Sequence, residues 1–159
     1  MSHEVHAHSE TNPAGLATIV LLLFLAGCSG NGDPFAYVPV KGTVTYDDGS
    51  KIPASEIALS FIPQSAAIGK AHPRVGMAYV DANTGTFQSA TTHKVNDGLV
   101  RGKHKVTVTG ANHTPLSANI VPVEYGDFAK TPLEVDTDHL PFQIKIPKPT
   151  ARADAKAKR

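Results

Sequence analysis

The strongest constraint on the fold of this chain is a repeated alternation of apolar and polar residues in short runs. Phe142, Ile144 and Ile146, for example, alternate with Gln143 and Lys145. A period of two residues is that of a β-strand with one buried face. The chain also contains 13 Gly, 12 Pro and no Trp, a composition typical of short strands joined by turns. We therefore expect an all-β fold.

The alternating runs after Cys28 predict six or seven strands. The sequence Asn83-Thr84-Gly85 predicts a hairpin turn, because Asn and Gly tolerate the positive φ angles that such turns require. Regularly spaced short strands of this kind are typical of an antiparallel two-sheet sandwich. The predicted strands cover residues 38–46, 56–62, 75–81, 86–91, 102–110, 133–136 and 141–146.

Charge and cysteine content narrow the function classes. The formal net charge is +1, and no cluster of Lys and Arg forms the basic field that a nucleic-acid partner requires. The single cysteine, Cys28, excludes an intramolecular disulfide. The basic segment 149–159 is expected to be a disordered tail, and residues 37–148 to form the sandwich domain.

An apolar run near the N-terminus predicts export. Residues 16–26 are apolar or small, and this run is shorter than the about 20 residues of a membrane-spanning helix. Its length is that of a signal-peptide core. The run ends in Leu25-Ala26-Gly27-Cys28, which resembles the lipobox of bacterial lipoproteins. The resemblance implies that peptide 1–27 is removed and that the Cys28 sulfur receives a diacylglyceryl group.

This interpretation predicts an anchored protein. Residues 28–36 become a lipidated tether, and the acyl chains hold the domain to the extracytoplasmic side of a membrane in the cell envelope. The alternative is an uncleaved apolar tail, because the segment before the run has no Lys or Arg and carries Glu4 and Glu10. No cofactor other than the covalent lipid is expected.

Several segments together resemble a known family. They are VKGTVTYDDG at 40–49, LSFIP at 59–63, DANTGTF at 81–87, GKHKVTV at 102–108 and VPVEY at 121–125. In this order and spacing the chain, over residues 38–146, resembles the carboxypeptidase-regulatory-like, transthyretin-like small lipoproteins of planctomycete bacteria. The resemblance implies a seven-stranded, two-sheet sandwich at the cell envelope, and it brings no catalytic residues.

The polar residues after Cys28 contain no recognisable catalytic or metal-binding motif, and His3, His6 and His8, which are spaced to chelate a metal, are discarded if the signal peptide is removed. Transthyretin-like hydrolases that open the hydroxyisourate ring end in Tyr-Arg-Gly-Ser, whereas this chain ends in KAKR at 156–159. We expect ordinary exposed histidines, no metal site, and aspartates that serve turns through Asx hydrogen bonds. The histidines after Cys28 are His72, His93, His104, His113 and His139, and the aspartates at predicted turns are Asp47, Asp48, Asp81, Asp97, Asp136 and Asp138.

Three functions are compatible with these observations. The first is a non-enzymatic envelope lipoprotein whose loops contact a protein or a glycan. The second is a carrier of a small ligand or of Ca²⁺, with loops 64–73 and 111–127 closing over the site. The third is a hydrolase of unknown substrate, assembled from residues distant in sequence.

Overall fold

The strands account for most of the regular structure in the unit that begins at Pro34. The computed structural model describes residues 33–149. Two short 3₁₀ helices, Ala111–His113 and Val123–Gly126, lie in the connection between two of the strands. The fold of the described part is all-β, as predicted. Its strands are β1 (Tyr37–Val38), β2 (Gly42–Tyr46), β3 (Ile57–Pro63), β4 (Gly76–Val80), β5 (Thr86–Phe87), β6 (Leu99–Val100), β7 (Lys103–Thr109), β8 (Glu134–Asp136) and β9 (Phe142–Ile146).

Within residues 33–149 the strands form three sheets. The four-stranded sheet has the order β4-β3-β7-β8 and is antiparallel throughout. The three-stranded sheet has the order β5-β2-β9, and a small two-stranded sheet pairs β1 with β6. The two larger sheets together contain seven strands, and β6 with its pairing to β1 is additional to the sequence prediction.

One pairing contradicts the prediction of a wholly antiparallel fold. β2 and β9 are parallel, with Gly42 opposite Phe142 and Tyr46 opposite Ile146. Parallel neighbours require a long crossover connection, and here the whole four-stranded sheet lies between them in sequence. Side chains alternate between the two faces of a sheet in parallel and in antiparallel pairing alike. The alternating pattern that predicts the strands therefore does not indicate their direction.

The predicted strand 38–46 is divided in the structure. Pro39 has no N–H group to donate to a ladder, and the chain leaves the two-stranded sheet there before β2 begins at Gly42. Beyond this break the prediction is confirmed: Gly42, Val44 and Tyr46 are buried, whereas Thr43 is exposed.

The two larger sheets pack against one another through their inner faces. Phe61 of β3 is fully buried, and its ring centroid lies 5.9 Å from that of Phe87 in β5 and 5.9 Å from that of Phe142 in β9. Val106 and Val44 extend the same core on either side. Aromatic rings at such distances are attracted beyond their burial of apolar area, so this cluster joins the sheets.

Strand register defines two ends of the domain. Pro63 of β3 is opposite His104 at the start of β7, and Ala58 is opposite Thr109 at its finish. We call the first end the β1 end, because Arg101 N–H donates to the Ala36 carbonyl directly before β1. Loops 64–75 and 88–98 lie at the β1 end. Loops 47–56 and 110–132 lie at the opposite end.

Gly98 allows β1 to approach the loop that precedes β6. It has φ +94°, and a Cβ there would lie 2.0 Å from the Val38 carbonyl oxygen. We predict that Gly98→Ala lowers the free energy of unfolding by about 2 to 4 kcal/mol, through backbone strain and steric overlap. Gly49, with φ +80° and nothing within 4 Å of its Cβ position, is the matched control.

For Gly49→Ala we expect a loss of about 1 kcal/mol, from the left-handed backbone alone. Urea unfolding of the two variants beside the parent protein measures both losses. Equal losses would show that the contact between Gly98 and Val38 adds nothing.

Candidate functional site

The residues predicted to carry the lipid are outside the part of the chain that the structure describes. Leu25, Ala26, Gly27 and Cys28 precede residue 33, as does the predicted signal peptide 1–27, and nearly all of the predicted basic tail follows residue 149. Their assignment stays a prediction. Between residues 33 and 149, no helix has both the length and the apolar character needed to span a membrane.

The two loops predicted to close over one ligand site lie at opposite ends of the domain. Loop 64–73 follows Pro63, which is opposite His104, whereas loop 111–127 follows Thr109 at the other end of β7. β7 is 7 residues long, which separates its ends by about 20 Å. The prediction that these loops form a common lid is therefore wrong.

Asp97 serves a turn, as the sequence predicted. Its carboxylate accepts hydrogen bonds from the backbone N–H groups of Thr92, His93 and Lys94, at 2.8, 3.0 and 2.7 Å. Partial burial acts to raise the pKa of Asp97, but these three donors outweigh it and the pKa is lowered. The charged carboxylate thereby holds loop 92–97 in one conformation.

Three other aspartates also serve turns, through Asx hydrogen bonds. Asp48, Asp81 and Asp136 each accept from the backbone N–H two residues later, and the bonds from Ser50, Asn83 and Asp138 measure 2.8, 2.8 and 3.1 Å. Hydrogen bonds from the Ser50 hydroxyl and backbone, with a further one from Lys148, lower the pKa of Asp48 to about 2. Asp138 instead pairs with Arg101 at 3.1 Å. The Asx prediction is confirmed at Asp48, Asp81 and Asp136, whereas Asp97 serves its turn by accepting from residues that precede it.

His104 differs from the other histidines. His72, His93, His113 and His139 are exposed, as predicted, whereas His104 has no exposed surface. The prediction of an exposed side chain is wrong at this position. The signal was present in the sequence, because on the predicted strand 102–110 His104 alternates with Lys103 and Lys105 and has the same parity as the apolar Val106 and Val108.

The surroundings of His104 favour the neutral ring. Its Nδ1 lies 3.0 Å from the Gly102 carbonyl oxygen and donates to it, which leaves Nε2 as an acceptor. Nε2 is buried and has no hydrogen-bond partner among the described residues. The Phe61 ring packs against it edge-on at 6.5 Å between centroids. Burial lowers the pKa of His104, opposed by the bond to Gly102 and by the charge of Asp136.

A cleft of about 360 Å³ lies between the edge strands β8 and β9, and we call it the β8–β9 cleft. These strands end the two larger sheets and do not pair with each other. Phe142, almost fully buried, contributes apolar surface. The cleft is lined by Lys103, Glu134, Val135, Asp136, His139, Phe142 and Gln143.

The lining of the cleft suits non-covalent recognition of a polar ligand. It combines a cation, two carboxylates and an amide, so it both donates and accepts hydrogen bonds. Its volume is within the range of small-molecule sites. One carboxylate is already engaged, because Gln64 Nε2 donates to Glu134 Oε1 at 3.1 Å. No group of three or more His, Cys, Asp or Glu side chains in residues 33–149 is arranged to hold a metal ion.

Comparisons with known proteins found no match for this chain among family models, curated proteins or solved structures. The likeness to transthyretin-like lipoproteins thus rests on the sequence segments alone.

His104 makes stability depend on pH. Since its pKa when folded lies below the ordinary 6.5, the unfolded chain binds the proton more readily as the pH falls through that value. We predict that this group lowers the free energy of unfolding by up to about 1.4 kcal/mol per pH unit below about 6.5. Urea unfolding from about pH 7.5 to about pH 5 measures the slope.

His104→Leu should remove that contribution to the slope. The matched control is His72→Leu, since His72 is exposed in loop 64–73. The control should keep the parent slope. If His104→Leu retained the parent slope as well, the buried ring would not be its source.

Proposed function

We propose that this protein is an envelope lipoprotein, anchored through lipid on Cys28, whose domain acts as a non-enzymatic binding or structural module. On this proposal the mature chain begins at Cys28 and lies on the extracytoplasmic side of a membrane. Its partner is a protein or a glycan of the envelope, and the covalent lipid is its only prosthetic group.

One observation carries the proposal: Leu25-Ala26-Gly27-Cys28 stands at the end of an apolar run of signal-peptide length. Small side chains at Ala26 and Gly27 leave the bond before Cys28 accessible to a peptidase. Cys28 is also the only cysteine, so no disulfide competes for its sulfur. Two or three acyl chains on one residue give lasting attachment, since each buried methylene contributes about 0.8 kcal/mol.

The fold is compatible with a transthyretin-like sandwich. The two larger sheets contribute three and four strands, which is the number that the family resemblance implies. Their shared core contains Phe61, Phe87 and Phe142. We propose that the pair β1-β6 is an addition to this sandwich near the tether. Fold similarity alone assigns no activity.

The binding role rests on the β8–β9 cleft. It is bordered by two edge strands, and edge strands offer backbone groups to an extended partner. Its side chains of both charges add specificity for a polar ligand. Four of the domain's aspartates are engaged in turns, as described above, and this engagement favours a scaffold role for them over an acid–base role.

Metabolic labelling with a palmitate analogue tests the anchor. We predict that the wild-type chain incorporates the label, because its Cys28 sulfur and new N-terminus are acylated, and that Cys28→Ala abolishes incorporation. Ser29→Ala is the matched control, since it changes the neighbouring residue and leaves the four-residue motif intact. Labelling of Cys28→Ala at the wild-type level would contradict the proposal.

The same cleft favours a second candidate, a carrier of a small polar ligand. A Ca²⁺ carrier is the variant of this candidate that the sequence left open, although residues 33–149 hold no group of three or more His, Cys, Asp or Glu side chains arranged for a metal ion. Binding to the folded state alone raises the unfolding temperature by mass action. For a Ca²⁺ carrier we expect a higher Tm with calcium than with a chelator, and Glu134→Gln, which removes a cleft carboxylate, should reduce that shift. Glu56→Gln, an exposed position at the opposite end, is the control. An unchanged Tm with calcium would exclude this metal as the cargo.

A further inference from the structure

The start of the domain determines which of its ends a lipid anchor holds near the bilayer. Cys28 precedes Pro34 by six residues, a segment that spans at most about 20 Å when fully extended. The chain then enters β1, which pairs with β6. If Cys28 is acylated, as we propose above, the β1 end is therefore the end nearest the membrane. The opposite end lies farther by the length of β7, about 20 Å.

Three exposed apolar side chains lie in the loops at the β1 end. Val95 is 81% exposed, and Ile68 and Val75 are 52% and 46% exposed. Val75 and Val95 belong to neighbouring loops, because Met77 and Thr91 form a β-bridge and a Cβ placed on Gly76 would lie 2.6 Å from the Thr92 hydroxyl oxygen. Basic side chains accompany them: Lys70, Arg74 and Lys94 are also exposed.

The exposed apolar residues at the opposite end have acidic neighbours instead. Val123 and Phe128 are each 69% exposed, and Glu124 and Asp127 lie between them in the sequence. An anionic lipid surface attracts Lys and Arg and repels carboxylates. Counted over the loops, 64–75 and 88–98 carry Lys70, Arg74 and Lys94 against Asp97, whereas 47–56 and 110–132 carry Asp47, Asp48, Glu56, Glu124 and Asp127 against Lys51 and Lys130. The net charge of the loops therefore favours an anionic surface at the β1 end, which is also the end nearest the tether.

Loop 92–97 presents Val95 in a defined position. The Asp97 carboxylate accepts hydrogen bonds from three consecutive backbone N–H groups of this loop, as described above. An apolar side chain held at the tip of an ordered loop enters a membrane interface without a further loss of backbone entropy.

We infer that the β1-end loops 64–75 and 92–97, through their exposed residues Ile68, Lys70, Arg74, Val75, Lys94 and Val95, dock on the anionic phospholipid of the membrane that holds the anchor. Val95 inserts at the boundary between headgroups and acyl chains, and the basic side chains contact lipid phosphates. The inference rests on the proposed acylation of Cys28. It adds an orientation, in which the opposite end points away from the bilayer.

A fluorescent reporter tests this orientation. The chain contains no tryptophan, so Val95→Trp introduces a single reporter. The acylated full chain is placed in vesicles of phosphatidylcholine and phosphatidylglycerol. We expect the emission to shift to shorter wavelength and to be quenched by phosphatidylcholine brominated in its acyl chains. Val123→Trp, an exposed valine at the opposite end, is the matched control and should show neither effect.

The basic side chains are tested in the reporter chain. Lys94→Ala should lower the ratio of docked to undocked domain about fivefold at low ionic strength, the effect of about one basic side chain near an anionic surface. Lys130→Ala, an exposed lysine at the opposite end, should leave the ratio unchanged. Equal effects of the two substitutions would overturn the assignment of lipid contact to the β1 end.

Failure of the docking and failure of the anchor give different results. A chain that incorporates the palmitate analogue, but whose Val95→Trp and Val123→Trp reporters respond alike, overturns the docking and leaves the anchor intact. A chain that incorporates no palmitate analogue overturns the anchor, and the docking with it.

Discussion

Packing between the two larger sheets is the interaction on which the rest of the domain depends. Phe61, Phe87 and Phe142 meet there from three strands, and Gly42 makes room for them. A Cβ at position 42 would lie 2.5 Å from the Phe142 carbonyl oxygen and 2.9 Å from the Phe87 ring. Residues 33–149 contain no cysteine, so no disulfide reinforces this contact. The positions of the edge strands, and of the cleft between them, follow from it.

The sequence predicts those strands well that have one face in this core. β3, β7 and β9 were anticipated to within a residue or two, because burial of alternate side chains leaves a period of two in the sequence. β1 and β6 have only two residues each and leave no such period. The parallel pairing of β2 with β9 was also missed, because the alternation of buried and exposed side chains does not indicate strand direction.

For the β8–β9 cleft, the sequence predicts the strands that carry the lining residues but not that these residues come together. Lys103, Glu134 and Gln143 lie on predicted strands, but their meeting in one cleft depends on β8 and β9 being sheet edges. The register of β3 against β7 likewise places loops 64–73 and 111–127 at opposite ends of the domain, so the predicted shared lid does not form. The burial of His104 was predictable from its place in the alternating pattern of the strand. The prediction followed instead the general preference of histidine for exposed positions.

In our proposals, the motif that ends at Cys28 determines which end of the domain faces the membrane. We propose that Leu25-Ala26-Gly27-Cys28 supplies the anchor, that the short tether keeps the β1 end near it, and that the β8–β9 cleft binds an envelope partner. The claim that supports the rest is acylation of Cys28. The mass of the intact protein purified from its native membrane tests this claim most directly. We predict a chain that begins at Cys28 and carries added acyl mass. A chain that retains Met1 and has no acyl mass would contradict the account.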